Sequence, residues 1–283
     1  MIRVDKPVSL FHEPVNIKVF NVEPRQKVTV GLKIDLDGRL FVSHANFDAS
    51  AAGVVLPMTQ ESLGGSYKGN VEMGLFLFLK PGPNEREGLR FMPKNIHLPC
   101  LYDIVVADSH CDPWQCPNVK VLCTIQIKRL FYDDKAVKRV LVKEHGIRGA
   151  LFEPRGVSGT ERIPALIDLY GTAGGILEHR SAILASHGFI VLCLPYFAYE
   201  DLPQSLDDVD LEYFMNAIDW LSSHNNVIPN RIGIVGISYG GALAFSLSAI
   251  SHKISAVVSI NGDFIFDPLL PMKYRGKYIS DAR

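Results

Sequence analysis

The chain has almost no charge imbalance. Its 283 residues carry 29 Lys and Arg against 30 Asp and Glu, a net of −1. It therefore lacks the basic stripe that nucleic-acid binding requires, and no nucleic-acid partner is expected. No apolar run approaches the roughly 18 to 20 residues that span a bilayer, so no membrane span is expected. The N-terminus, Met1-Ile2-Arg3-Val4-Asp5-Lys6, has no apolar signal core. Cysteine is sparse and odd in number: Cys100, Cys111, Cys116, Cys123 and Cys193. Such a set does not make a disulfide scaffold and favours a reducing compartment, with the cytoplasm as the default and a peroxisomal or mitochondrial location left open. Cys111 and Cys116, beside His110, have no second ligand pair at matching spacing. They read as free thiols in a loop, and no metal is expected. Repeats and low-complexity tracts are missing too. What remains is a globular composition, 47% hydrophobic and 21% charged, long enough for one large domain or two ordinary ones.

The first ~130 residues alternate with a period of two. Val15 to Phe20, Lys27 to Ile34 and Val119 to Ile127 show it, with turn residues between such runs at Glu23-Pro24-Arg25, Asp37-Gly38, Gly64-Gly65-Ser66 and Lys80-Pro81-Gly82. An antiparallel β-sandwich over 1–132 is expected. From 133 the pattern changes. Val137 to Lys143 and Arg148 to Phe152 form a hairpin closed at His145-Gly146. Strands then alternate with helices: strand Ile163–Leu169, helix Ile176–His187 ended by Gly188, strand Phe189–Leu194, helix Asp208–His224, strand Arg231–Val235, helix 241–251 and strand Ala256–Ile260. Leu211, Phe214, Met215, Ile218 and Leu221 give the fourth segment one apolar face. Asp207, Asp208 and Asp210 at its start are read as capping rather than metal binding. The alternation predicts a parallel sheet covered on both faces, an α/β domain over 133–283.

The chemistry concentrates at Gly236-Ile237-Ser238-Tyr239-Gly240. A strand precedes it and a helix follows, the setting of a nucleophile elbow. Gly236 and Gly240 allow the tight bend that projects the Ser238 hydroxyl. The Tyr239 N–H, at a helix N-terminus, is the first candidate donor for an oxyanion. The second is expected from the loop after the earlier strand, Tyr170-Gly171-Thr172-Ala173-Gly174-Gly175, through the N–H of Thr172 or Ala173. A phosphate cradle is the other reading of this loop, but no Walker lysine follows and the spacing is not Gly-x-Gly-x-x-Gly.

Several segments resemble the type I acyl-CoA thioesterases and the bile acid-CoA:amino acid N-acyltransferases. They are Asp168 through Arg180, Pro195-Tyr196-Phe197-Ala198-Tyr199-Glu200-Asp201-Leu202-Pro203, Leu211-Glu212-Tyr213-Phe214, Leu63-Gly64-Gly65-Ser66-Tyr67 and Met73-Gly74-Leu75. The resemblance covers nearly the whole chain. It implies an N-terminal β-sandwich followed by an α/β-hydrolase domain, no cofactor, and an acyl-CoA substrate. Members with a serine at the elbow hydrolyse, and members with a cysteine transfer the acyl group to an amino acid. Ser238 thus favours hydrolysis of fatty-acyl-CoA to free acid and CoA, with N-acyl transfer as the alternative.

Family members run well beyond this length and carry their triad acid and histidine there, so the hydrolase domain is expected to be truncated at its C-terminus. The triad acid and histidine are not found in this chain. Asp263, after the last strand, is the one candidate acid, while Asp267 and Asp281 read as loop residues. His252, the only histidine after Ser238, reads as a helix C-terminal residue, and His179, His187 and His224 match no known triad order. A chain ending at Arg283 is expected to present Ser238 correctly and activate it poorly. Loss of triad members costs on the order of 10⁶ in turnover in serine proteases. A shortened, non-catalytic product is the third reading. Acyl chain length and oligomeric state are not legible.

Overall fold

The computed structural model describes residues 1–263 and 273–278. Asp267 and Asp281 lie outside the described residues. Two compact units divide the chain, Met1–Phe131 and Tyr132–Arg283.

The first unit is built on a six-stranded sheet of β2 (Val8–Leu10), β8 (Val121–Leu130), β7 (Cys100–Asp108), β4 (Lys27–Leu36), β5 (Arg39–Asp48) and β6 (Lys80–Pro81), in that order. All pairs are antiparallel except β2 with β8. A two-stranded ladder, β1 (Ile2–Val4) with β3 (Ile17–Val19), and a one-turn helix α1 (Gly74–Leu77) complete it. The second layer is therefore much smaller than the first. The β4–β5 hairpin closes at Asp37-Gly38, both at positive φ, the conformation that matches strand twist in a two-residue turn. Val28, Val30, Leu32 and Ile34 of β4 are all buried. Gly31 lies between them because the Trp114 ring takes its side-chain space: a β-carbon there would sit 2.6 Å from Cζ2.

The second unit opens with the hairpin of β9 (Val137–Glu144) and β10 (Ile147–Pro154), turned at His145-Gly146, again both at positive φ. The other strands of its main sheet are β11 (Ile163–Leu169), β12 (Ile190–Cys193), β13 (Val227–Ile237) and β14 (Ile254–Ile260), and β15 (Lys273–Tyr274) pairs with β16 (Lys277–Tyr278) in a separate antiparallel ladder. The sheet order is β9-β10-β12-β11-β13-β14. β10 runs antiparallel to its neighbours, and β12, β11, β13 and β14 are mutually parallel. That crossing order, with one early antiparallel strand, is the α/β-hydrolase arrangement. Pro164 sits where the β11–β13 register shifts, the irregular position a residue without an N–H needs.

Among the described residues three helices pack on this sheet: α2 (His179–Ser186), α3 (Leu211–Ser222) and α4 (Tyr239–Ile250). α2 starts three residues later than its apolar pattern suggests. Gly174 and Gly175 both adopt positive φ, a left-handed backbone that a right-handed helix cannot include, so the helix starts only after them. α3 begins at Leu211 because Asp210 caps it, its carboxylate accepting the Glu212 N–H at 2.9 Å; Leu206–Asp208 forms a separate 3₁₀ turn capped by Ser205. Of the three acids only Asp210 caps α3, while Asp207 and Asp208 lie in the 3₁₀ turn and Asp208 pairs with Lys273 at 3.0 Å. Leu211, Phe214, Ala217, Ile218 and Leu221 of α3 are buried, each large one contributing roughly 1.5–3 kcal/mol of transfer free energy. Met215 stays half-buried but packs against the same core, and Ala217 is buried in it. α4 begins at Tyr239, immediately after Ser238, two residues earlier than expected. Among the described residues no helix is long and apolar enough to cross a membrane.

Candidate active site

Ser238 stands at the junction of β13 and α4 with φ 54° and ψ −124°. An L-residue rarely adopts that backbone, and it costs about 1–3 kcal/mol. The surroundings compel it. The Ser238 N–H donates to the Ile260 carbonyl at 2.9 Å, and the Ser238 carbonyl accepts the Gly241 N–H at 2.8 Å. The bend is tight enough that a β-carbon on Gly236 would lie 2.0 Å from the Gly240 oxygen. One on Gly240 would lie 2.5 Å from the Tyr170 oxygen and 2.6 Å from that of Leu169. Both glycines of the motif are thus required by backbone contact. Gly241 faces Ser259 and Gly262 just as closely. The result is an exposed serine at the C-terminal end of β13.

The glycine-rich loop after β11 lies against it. A β-carbon on Gly171 would be 2.9 Å from the Ser238 β-carbon and 3.4 Å from its Oγ. Thr172 and Ala173 follow as an exposed turn. The first N–H groups of an α-helix have no intrahelical acceptor, so the Tyr239 N–H at the start of α4 is available to an external oxygen. The structure therefore brings Ser238, Tyr239 and the Gly171–Ala173 segment to one end of the sheet.

Asp263 follows β14 at the same end, and its neighbour Gly262 packs on Gly241. His252 lies beyond the far end of α4, a helix roughly 18 Å long at 1.5 Å per residue. It is exposed there, as its reading as a helix C-terminal residue expects.

A buried polar cluster sits behind the glycine loop, and sequence reasoning did not single it out. Asp168 is 1% exposed. Its Oδ1 accepts Arg180 Nε at 2.8 Å and is in contact with Nη2; its Oδ2 accepts the Ser181 hydroxyl at 2.7 Å. Arg180 Nη2 also donates to the Leu169 carbonyl at 2.9 Å and the Val235 carbonyl at 3.4 Å. The guanidinium stacks over the Tyr170 ring, 5.1 Å from its centroid. Tyr196 donates its hydroxyl to the Tyr170 carbonyl at 2.5 Å and lies 3.1 Å from that of Gly171. Burial pushes the Asp168 carboxyl up, partly offset by Arg180 and Ser181. Burial likewise raises Tyr196 and the Cys193 thiol. The available signal was a charged residue near the end of an otherwise apolar strand, since a buried carboxylate demands a partner. Among the described residues no group of three His, Cys, Asp or Glu could hold a metal ion.

Comparison with known proteins adds a family. Residues 12–144 match the model described as the acyl-CoA thioester hydrolase/BAAT N-terminal region, and residues 209–280 match the BAAT/acyl-CoA thioester hydrolase C-terminal model. The chain is 34% identical over 275 residues to acyl-coenzyme A thioesterase 6 of Mus musculus, covering 96% of this chain and 63% of that protein. It is 36% identical over 251 residues to human acyl-coenzyme A thioesterase 1, covering 88% and 57%. It is 37% identical over 279 residues to acyl-coenzyme A amino acid N-acyltransferase 2 of Rattus norvegicus, covering 97% and 64%. The chain spans about three-fifths of the length of these relatives. Among solved structures it is similar to the α/β hydrolase GrgF from Penicillium sp. sh18, with a TM-score of 0.36 at 22% identity over 44% of this chain and 46% of that one.

Proposed function

Because the chain belongs to the acyl-CoA thioester hydrolase/BAAT family, we propose that Ser238 is the nucleophile that takes an acyl group from a coenzyme A thioester and yields it to water as the free acid. The observation that carries this reading is the strained, exposed Ser238 at the head of β13, pressed against Gly171. The Ser238 oxygen attacks the thioester carbonyl as a general base takes its proton, which that base then passes to the departing CoA sulfur. The oxygen of the tetrahedral intermediate becomes negative, and the N–H groups of Tyr239 and of Thr172 or Ala173 hold it. The C–S bond breaks, CoA departs as its thiol with a proton, and the acyl ester on Ser238 remains. Water then adds to that ester, and the acid leaves with Ser238 reprotonated. Asp263 is the candidate for the orienting acid. The substrate class is a fatty-acyl-CoA, and no cofactor takes part. Five free cysteines support a reducing compartment, the cytoplasm by default.

The similarity to the rat N-acyltransferase supports a second reading, transfer from the same acyl-serine to an amino-acid amine. Two measurements decide. A fluorophosphonate should label the folded protein, at its natural length, on Ser238 alone, and Ser238→Ala should abolish labelling; an unlabelled folded protein overturns the reading. Acyl-CoA supplied with glycine or taurine should give free acid only, and an N-acyl product would establish transfer instead.

A further inference from the structure

We propose that Arg180 and Tyr196 are positioning residues that hold the glycine loop in register with Ser238, with Asp168 and Ser181 fixing Arg180. This inference rests on the reading of Ser238 as nucleophile.

The argument begins with what Arg180 touches. One guanidinium reaches three places: the carboxylate of Asp168 on β11, the carbonyl of Leu169 at the end of β11, and the carbonyl of Val235 on β13. Leu169 is the residue before Tyr170-Gly171, and Val235 is three residues before Ser238. Arg180 therefore spans the two strands whose ends carry the loop and the elbow. The planar fork of an arginine can serve such divergent acceptors at once, whereas a lysine ammonium cannot reproduce it.

The held peptide is the one on which the elbow rests. The oxygens of Leu169 and Tyr170 approach Gly240 so closely that no β-carbon fits between. The same Tyr170 oxygen accepts the Tyr196 hydroxyl, whose oxygen also lies 3.1 Å from the Gly171 carbonyl. Gly171 in turn abuts the Ser238 side chain. Arg180 grips the loop at its entry and Tyr196 at the next two peptides. The Tyr170 ring, covered by the guanidinium, completes the contact. The Thr172 N–H lies on the held Gly171–Thr172 peptide and the Ala173 N–H on the one after it, so their aim depends on both grips. Donors displaced by even a fraction of an ångström lose much of their effect on a developing oxyanion. Neither side chain needs to touch substrate.

The test uses Tyr196→Phe, Arg180→Lys and Arg180→Met in the whole protein. Tyr196→Phe removes one hydroxyl and keeps the ring. It should lower kcat for acyl-CoA about 10-fold, change KM less than twofold, and slow fluorophosphonate labelling of Ser238 by a similar factor. kcat should fall in the order unaltered, Arg180→Lys, Arg180→Met, again with KM nearly constant. Arg180→Met also leaves a buried carboxylate unpaired, so its melting temperature should fall; Tyr196→Phe supplies the measurement if that variant does not fold. Folded Tyr196→Phe and Arg180→Lys proteins with unaltered kcat and labelling rate overturn the inference and leave the nucleophile standing. An increase in KM at constant kcat also overturns it. An unaltered protein whose Ser238 does not label removes the nucleophile and this inference together.

Discussion

Gly171 and Ser238 are in such close apposition that a β-carbon on the first would stand 2.9 Å from the β-carbon of the second. The other near atoms are the Ile237 oxygen at 3.2 Å and Ser238 Oγ at 3.4 Å. None is the far end of a flexible side chain, so something must shift. Gly171→Ala is expected to lower kcat/KM on acyl-CoA on the order of 10²-fold, because loop and nucleophile separate. The overpacking should cost about 1–3 kcal/mol of stability. Steady-state kinetics with a urea titration check both. Full activity in Gly171→Ala would show that the loop does not serve Ser238.

The backbone of Ser238 supplies a second expectation. Its φ of 54° and ψ of −124° cost about 1–3 kcal/mol for any residue with a β-carbon. Glycine escapes that cost but loses about 0.5–1 kcal/mol more chain entropy on folding. The difference favours glycine by about 1 kcal/mol. Ser238→Gly should therefore unfold at higher urea than Ser238→Ala, with an unchanged m value, while both are inactive. Equal midpoints would mean that the bend stores no strain.

How much of this was written in the sequence depends on the range of the contacts involved. The elbow was legible because Gly236, Ser238 and Gly240 act within five residues and the flanking apolar runs declare strand and helix. The β9–β10 and β4–β5 hairpins were legible for the same reason, their turns being His145-Gly146 and Asp37-Gly38. The late start of α2 was not, since two successive glycines at positive φ depend on tertiary support that no local pattern reports. Arg180 gripping Val235 joins residues 55 apart in the chain. Tyr196 reaching Tyr170 crosses a strand and a helix. Such contacts exist only once the β12-β11-β13 order brings strand ends together. The segment from Asp168 to Arg180 stood out as a motif, but its members' mutual geometry did not.

The five thiols should differ sharply in reactivity. Cys116 is exposed, Cys111 and Cys123 are half-buried, and Cys100 and Cys193 are buried. Burial, with a smaller effect from Asp37, pushes the Cys100 thiol up to about 12. Only about one such thiol in 10⁴ is ionised at pH 8, and the thiolate is the reactive form. Burial raises Cys193 well above its ordinary value too. A thiol-specific disulfide reagent at pH 8 should modify Cys116 fastest and Cys111 and Cys123 more slowly, and should reach Cys100 and Cys193 only after denaturation. Peptide mass mapping over time distinguishes the sites. Early modification of Cys193 would contradict the packing behind the glycine loop.

Acid should destabilise the first unit, and the sign follows from its carboxylates. Glu13 is held below its ordinary value by the Leu10 N–H at 2.7 Å and by Lys6 at 3.2 Å. Asp108 is held low by Gln26 and Lys120. Asp5 is also lowered, its burial outweighed by hydrogen bonds from Asn16. A carboxyl with a depressed folded-state value binds its proton more tightly when unfolded. Its contribution is complete above the unfolded value near pH 4 and is lost as pH falls through the folded one. Asp168 in the second unit has the opposite sign: its raised carboxyl favours the folded state at low pH, a contribution lost as pH rises. The two must be read separately. The chain has two tryptophans, Trp114 in the first unit and Trp220 in the second, so Trp220→Phe leaves Trp114 as a local reporter. Its unfolding midpoint in urea should fall steadily from pH 5 to pH 3. Glu13→Gln should flatten that slope, because one proton-binding difference is gone. A midpoint independent of pH over this interval would show that these carboxylates hold no folded-state advantage.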